Sequence, residues 1–217
     1  MEITYESIKS LIVEETFKVK YNGKELADYL TAKVSDLYKA INPQALEDGS
    51  KRFSSTLVCV RILDNKVLIT QIGDTSFRIN GKEVYKNDKL IDELNAKARS
   101  NYIITTGDIE GGREYIMPLL KNQYLYLNNP NSILGYGFID GTKIPDKFIK
   151  TFEFDLNSID IIELISDGYF SLPNKVDIQA YEEEYLKVEN EDPYKYKKYL
   201  STKSNDDRTV VIIKISK

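Results

Sequence analysis

Two aspartates stand at the ends of apolar segments of strand length, and their chemistry suits a metal ion. Asp167 follows the apolar run 159–165 in the segment SIDIIELISDGYFSL, and Asp206 precedes the run 210–215. Carboxylates held by rigid strands, with one side open to water and a phosphate, are suited to an oxygen-ligand metal site. Because the chain contains no histidine, we expect Mg²⁺ or Mn²⁺ rather than Zn²⁺.

Other chemistry is restricted by the same composition. Without histidine, Ser-His and Cys-His nucleophilic pairs are excluded. The single cysteine, Cys59, lies in an apolar strand pattern, which is typical of a buried and inert thiol. Asp167 itself has a second interpretation, because it precedes Gly168 and most Asp-Gly pairs only turn or cap the chain.

Chain length, net charge and the lack of long apolar runs indicate which partners and how many domains to expect. The 217 residues carry a net charge of −4, with basic residues mixed among acidic ones, so we expect no nucleic-acid partner. No apolar run approaches the roughly 20 residues of a membrane span, and the N-terminus MEITYESIKS lacks the features of a signal peptide. We expect a cytoplasmic protein without membrane contact. No linker interrupts residues 1–217, which predicts a single domain.

Helical periodicity is strongest near the N-terminus. Apolar residues from Leu26 to Ile41 recur at steps of three and four, which predicts a long helix that ends before Pro43. A short helix is predicted at 5–19. A third, shorter helix is suggested by Leu90, Ile91, Leu94 and Ala98, and the charged segment 176–200 predicts one or two solvent-facing helices.

Strand patterns fill most of the remaining chain. Residues 55–62, 67–72, 77–79 and 83–85 predict a meander of antiparallel strands, interrupted by Gly73 and Asp74. Strands are also predicted at 148–154, 159–165 and 210–215. The segment 101–147 gives no clear pattern apart from a possible helix at 113–125, and we interpret it as a mobile flap followed by irregular structure. Strands and helices that do not alternate as β-α-β units predict an α+β fold with antiparallel sheets.

Four segments in this order resemble the motifs of the metal-dependent 2C-type Ser/Thr protein phosphatases: GSKRFSSTLVCVRI, VLITQIGDTSFRI, SIDIIELISDGYF and NDDRTVVII. The resemblance runs from Ser7 to the C-terminus. It implies a four-layer α-β-β-α sandwich and a dinuclear Mg²⁺ or Mn²⁺ centre. In that family a bridging water attacks the phosphorus of phosphoserine or phosphothreonine in a protein substrate.

The resemblance also assigns roles to individual residues. Asp167 matches the metal-binding Asp of the SDG motif, and Asp206 matches the metal-binding Asp of the terminal motif. The other matching residues are expected to have structural roles near the site: Gly73, Asp74, Asp160, Gly168 and Asp207.

One part of the family pattern has no counterpart. The family begins with a strand carrying a phosphate-binding Arg and with an Asp-Gly-x-Gly-Gly motif whose Asp bridges the two metals; Met1 stands almost at that point. We therefore expect the first strands to be missing and divalent metal to bind weakly. Asp108, in the sequence Asp-Ile-Glu-Gly-Gly, is a weak candidate for a further metal ligand.

Three interpretations remain open at this point. The first is a metal-dependent phosphatase of phosphoproteins that is either truncated at its N-terminus or completed by a borrowed segment. The second is a catalytically impaired relative that acts as a protein-binding or regulatory module. The third is an unrelated α+β protein whose acids only cap strands. The sequence names no catalytic residue beyond the metal ligands.

Overall fold

The computed structural model describes residues 22–216, which combine α-helices with antiparallel strands. In chain order the elements are α1 (Gly23–Ile41), α2 (Gln44–Glu47), β1 (Leu57–Leu63), β2 (Lys66–Ile72), β3 (Ser76–Ile79), β4 (Glu83–Lys86), α3 (Leu90–Thr106), α4 (Gly111–Lys121), β5 (Ile149–Asp155), β6 (Ile161–Ile165), α5 (Ile178–Glu191) and β7 (Val210–Lys214), with 3₁₀ turns at Gly49–Lys51, Gln123–Tyr126, Asp146–Phe148 and Leu156–Ser158. The helix predicted for residues 5–19 lies outside the described residues.

The described residues fall into two compact units. The first unit contains residues 22–75 and 124–159, and the second contains residues 76–123 and 160–216. Each unit has its own antiparallel sheet, with strand order β1-β2-β5 in the first and β4-β3-β6-β7 in the second. A single domain over residues 1–217 stays a prediction.

The predicted meander is wrong in one respect, because its four strands form two hairpins in two different sheets. β2 takes β5 as its second neighbour, and β3 takes β6. The chain leaves the first sheet at Gly73, which has a φ of 85°. A Cβ at this position would lie 2.5 Å from Cγ2 of Thr56, so the turn between the two hairpins requires glycine.

Helix α1 forms as predicted and builds the core of the first unit. A capping box starts it: Asn22 Oδ1 accepts from the backbone N–H of Glu25 at 2.9 Å, and the Glu25 carboxylate accepts from the N–H of Asn22 at 2.9 Å. The buried apolar face packs against residues of β1, β2 and the segment before β5. Members of this core are Leu26, Ala27, Leu30, Val34, Tyr38, Ala45, Leu57, Ile72, Ile139 and Ile144.

The segment 101–147 contains more regular structure than its sequence pattern indicates. α3 extends to Thr106, and α4 occupies part of the predicted helix 113–125. Beyond α4, the Asn128 amide donates to the Phe138 carbonyl and to Asp140 Oδ1, each at 2.9 Å. The buried Asp140 carboxylate also accepts from the N–H and hydroxyl of Thr142. Polar contacts order this stretch, so apolar periodicity does not reveal it.

The second unit is organised around β6, which lies between β3 and β7. The Glu163 carboxylate on β6 is fully buried and forms a bidentate ion pair with Arg78 of β3. It also accepts from the Tyr181 hydroxyl of α5 at 2.7 Å. Burial and the hydrogen bond to Glu163 raise the pKa of Tyr181, so this phenol stays a donor. The three side chains connect two strands to the helix that covers them.

We predict that Glu163→Gln destabilises the protein strongly. The substitution removes the carboxylate that, among the described residues, pairs with the buried Arg78 guanidinium. The charge is then left uncompensated, which costs about 3 kcal/mol or more. The measurement is the free energy of unfolding in urea. Glu93→Gln is the control, because it breaks an ion pair with Lys97 in which both side chains are more than half exposed. Equal effects of the two substitutions would contradict the assigned role of Glu163.

Candidate metal-binding site

The end of β6 and the start of β7 lie side by side at one edge of the second sheet. The strands are antiparallel, with Ile165 opposite Val210. Pairing continues beyond the strands, because the Ser166 N–H donates to the Thr209 carbonyl at 3.0 Å and the Thr209 N–H donates to Ser166 Oγ at 2.9 Å. Asp167 therefore lies one residue after this pair along the chain, and Asp206 lies three residues before it.

Glycine at position 168 permits the close approach of these segments. A Cβ on Gly168 would lie 2.2 Å from the carbonyl oxygen of Asp207, a distance that no side chain tolerates. Any larger residue would push the segment after β6 away from the segment before β7. This contact supplies a physical reason for the glycine that follows Asp167.

The two candidate acids differ in exposure and in partners. Asp167 is exposed, whereas the Asp206 side chain is only 12% exposed. The Asp206 carboxylate forms an ion pair with Lys203, whose Nζ lies 2.5 Å from Oδ1. Asp207, the next residue, is exposed. The more recessed carboxylate of the site is thus already balanced by a positive charge from this chain.

The remaining predicted site residues lie in other surroundings. Asp108 is exposed and its Oδ1 accepts from the Gly111 N–H at 2.9 Å, while its Oδ2 accepts from the Tyr102 hydroxyl at 3.2 Å. It therefore caps the start of α4. Gly73 and Asp74 belong to the first unit. The backbone N–H of Asp160, in the second unit, donates to Asn80 Oδ1 at 2.8 Å; a structural role for its side chain stays a prediction.

The segment between α5 and β7 is held by a carboxylate that sequence reasoning missed. Asp192 is buried and accepts four backbone N–H bonds from residues 196–199, at 2.8 to 3.3 Å. Burial opposes ionisation of Asp192, but the four donors outweigh it, so the pKa of Asp192 lies below its ordinary value of 3.8. One side chain thereby fixes the first turn of this segment.

Arg99 of α3 joins the first turn of the same segment to its later part. Its guanidinium donates to the carbonyls of Tyr194, Lys195 and Ser201 at 3.1 to 3.2 Å. It also donates to Ser204 Oγ at 2.8 Å, two residues before Asp206. Burial lowers the pKa of Arg99, and these acceptors oppose that effect because they stabilise the charged guanidinium.

The predicted third helix is present as α3, and only part of its apolar pattern marks the buried face. Ile91 is buried, whereas Leu90 and Leu94 are 39% and 46% exposed. The buried face also includes the polar Asn95 and Arg99. A search for apolar periodicity cannot find buried positions that are polar. The available signal was the position of Arg99 one turn after Asn95, between the apolar Ile91 and Ile103.

Solved structures provide the only match among the comparisons; no known family profile and no curated protein matches the sequence. A crystal structure of a bacterial serine phosphatase aligns with 99% of this chain and 78% of its own, at a TM-score of 0.54 and 17% identity. The serine/threonine phosphatase Stp1 from Staphylococcus aureus aligns with 100% of this chain and 77% of its own, at 0.50 and 16%. The fold is that of the 2C-type phosphatases. The expected α+β class with antiparallel sheets is confirmed.

The 2C-type fold implies divalent metal ions, and the described residues meet that requirement only in part. Two carboxylates are enough for one Mg²⁺ or Mn²⁺ that keeps several waters. Two such ions bring four positive charges together and need a carboxylate between them. Residues 22–216 contain no group of three or more His, Cys, Asp or Glu that could hold a metal ion. The described residues therefore do not support a dinuclear centre, and a single ion held by Asp167 and Asp206 stays a prediction.

A further property concerns membranes. Among the described helices, none has the length and apolar character to span a bilayer.

We predict that Asp192→Asn lowers the free energy of unfolding by about 2 kcal/mol at neutral pH, because an amide cannot replace a charged acceptor of four N–H groups. The pKa of Asp192 is depressed in the folded state, so its contribution is complete above the unfolded value near 3.8 and is lost as the pH falls through the lower folded value. Urea unfolding at pH 7, 5 and 3 measures this. The difference between the two proteins should be the same at pH 7 and 5 and smaller at pH 3; a difference that does not change with pH would contradict the assignment.

Proposed function

We propose that this chain is a phosphatase domain that removes phosphate from phosphoserine or phosphothreonine in proteins, with Asp167 and Asp206 as carboxylate ligands of one Mg²⁺ or Mn²⁺. The observation that supports it is the pairing of Ser166 with Thr209. Within a 2C-type fold, this pairing sets the two acid-bearing segments next to each other.

Asp206 and Asp167 would have different roles in the proposed reaction. Asp206, recessed and anchored through its neighbour Ser204, would fix the position of the cation. Asp167 is exposed, so a phosphorylated residue on the surface of a folded protein could reach it without entering a deep pocket. When bound, the divalent ion supplies Lewis acidity and lowers the pKa of a coordinated water.

A second candidate function is supported by the ion pair between Lys203 and Asp206. A site that already balances its recessed carboxylate with an ammonium group has less need of a metal ion. The described residues also contain no group of three potential metal ligands. On this alternative, the chain is a 2C-type module that binds a phosphorylated protein segment without hydrolysing it.

We predict slow, Mn²⁺-dependent release of phosphate from a phosphoserine peptide by this chain, measured in a malachite green assay. Asp167→Asn should lower the rate at least about tenfold, since loss of even an outer-shell partner of a metal site costs 10–100-fold. Asp88→Asn is the matched control, because it makes the same change of charge at an exposed carboxylate paired with Lys86.

Two other outcomes of this assay would contradict the proposed hydrolysis. Peptide binding without release of phosphate, with an affinity that neither Mn²⁺ nor Asp167→Asn changes, would support the binding module. Absence of both turnover and peptide binding would contradict both candidate functions.

A further inference from the structure

Lys203 lies where a cation of the candidate site would lie. Its Nζ is 2.5 Å from Asp206 Oδ1. We propose that Lys203 is a built-in cation of this site, which competes with divalent metal for Asp206 and sets a low affinity for Mg²⁺ and Mn²⁺. This inference rests on the proposed role of Asp206 as a metal ligand.

The surroundings of Asp206 explain why a positive charge is needed there. Its side chain is only 12% exposed, whereas that of Lys203 is 39% exposed. A recessed carboxylate loses part of its hydration, and an adjacent cation offsets that loss. In the absence of metal, the ammonium group of Lys203 fills this role.

The turn that carries Lys203 is anchored on both sides. Arg99 donates to the Ser201 carbonyl at 3.1 Å and to Ser204 Oγ at 2.8 Å. Arg113 of α4 donates to the Thr202 carbonyl at 2.9 Å. Two helices thus hold the backbone carbonyls of the two residues before Lys203 and the side chain of the residue after it. An ammonium group on a fixed backbone has a high effective concentration at its partner, so it competes better than a lysine on a free loop.

Binding of a divalent ion must then take one of two forms. The ion can displace the Lys203 ammonium from Asp206, which breaks the existing ion pair. It can instead use the other carboxylate oxygen, in which case it lies close to a like charge. Both forms weaken binding, and the second also leaves Asp206 without a free oxygen for another divalent ion.

The test is the Mn²⁺ affinity of the whole chain, measured by titration followed by electron paramagnetic resonance of free Mn²⁺. Lys203→Gln should tighten binding at least about tenfold, equivalent to 1.4 kcal/mol. Lys203→Arg keeps the charge and should bind as weakly as the natural protein. Lys197→Gln is the matched control, because it removes an exposed lysine from the same segment, where the ammonium lies over the Tyr196 ring and not on a carboxylate.

Asp206→Asn distinguishes the proposed role of Lys203 from the proposed metal site itself. If it abolishes Mn²⁺ binding while Lys203→Gln binds no tighter than the natural protein, the role of Lys203 is overturned and the metal site stands. If Mn²⁺ binds equally with and without Asp206→Asn, or binds to none of the variants, the metal site itself is overturned and the inference with it.

A second measurement reports on Lys203 without substitution. In the natural protein, addition of Mg²⁺ should shift the side-chain ¹⁵Nζ resonance of Lys203 and leave that of Lys197 in place. A Lys203 resonance that Mg²⁺ does not move, at concentrations where the ion binds, would contradict the proposal.

Discussion

The antiparallel pairing of β6 and β7 is the constraint on which the candidate site depends. Neighbouring strands of opposite direction bring the end of one to the start of the other, so residues that are about 40 positions apart in sequence share one edge of the sheet. The pairing extends one step further, from Ser166 to Thr209, and Gly168 lets the segments stay in contact. The buried ion pair of Glu163 with Arg78 fixes β6 against β3. The place of the candidate site on the sheet edge thus follows from the register in which β7 pairs with β6.

Polar side chains hold the segment that leads into β7, where a small core would ordinarily be expected. Asp192 collects four backbone N–H groups and Arg99 collects three carbonyls, so residues 192–204 need little apolar burial of their own. Each of these charged groups loses hydration when buried, and only the full set of partners compensates for that loss. The same segment presents Lys203 to Asp206. Stability and the electrostatics of the site are therefore set by the same contacts.

Much of the fold could be predicted because local signals agree with it. The stripe from Leu26 to Ile41 predicted α1. The strand patterns 77–79 and 83–85 predicted the hairpin of β3 and β4, in whose turn Asn80 and Gly81 have φ values of 52° and 68°. The pairing of strands across the sheet was not local: nothing in the sequence of β2 indicates that its second neighbour is β5. The burial of Arg99 on α3 was missed for the related reason that its partners lie about 100 residues away.

The candidate site was predictable to a smaller extent. Strand-end position and family resemblance both select Asp167 and Asp206. Their unequal exposure and the ion pair with Lys203 depend on how residues 201–204 turn, which periodicity does not encode. The number of metal ions is likewise a property of the assembled donor set: the resemblance implies two, and residues 22–216 contain no group of three or more potential ligands that would hold them.

The most direct test of this account is the anomalous diffraction of crystals grown with Mn²⁺, recorded at the manganese absorption edge. We expect one peak beside Asp206, within about 2.0–2.3 Å of a carboxylate oxygen, with Asp167 as the second acidic ligand, directly or through a bound water. A peak away from both acids, or two peaks about 3.5–4 Å apart between them, would contradict a site for a single divalent ion.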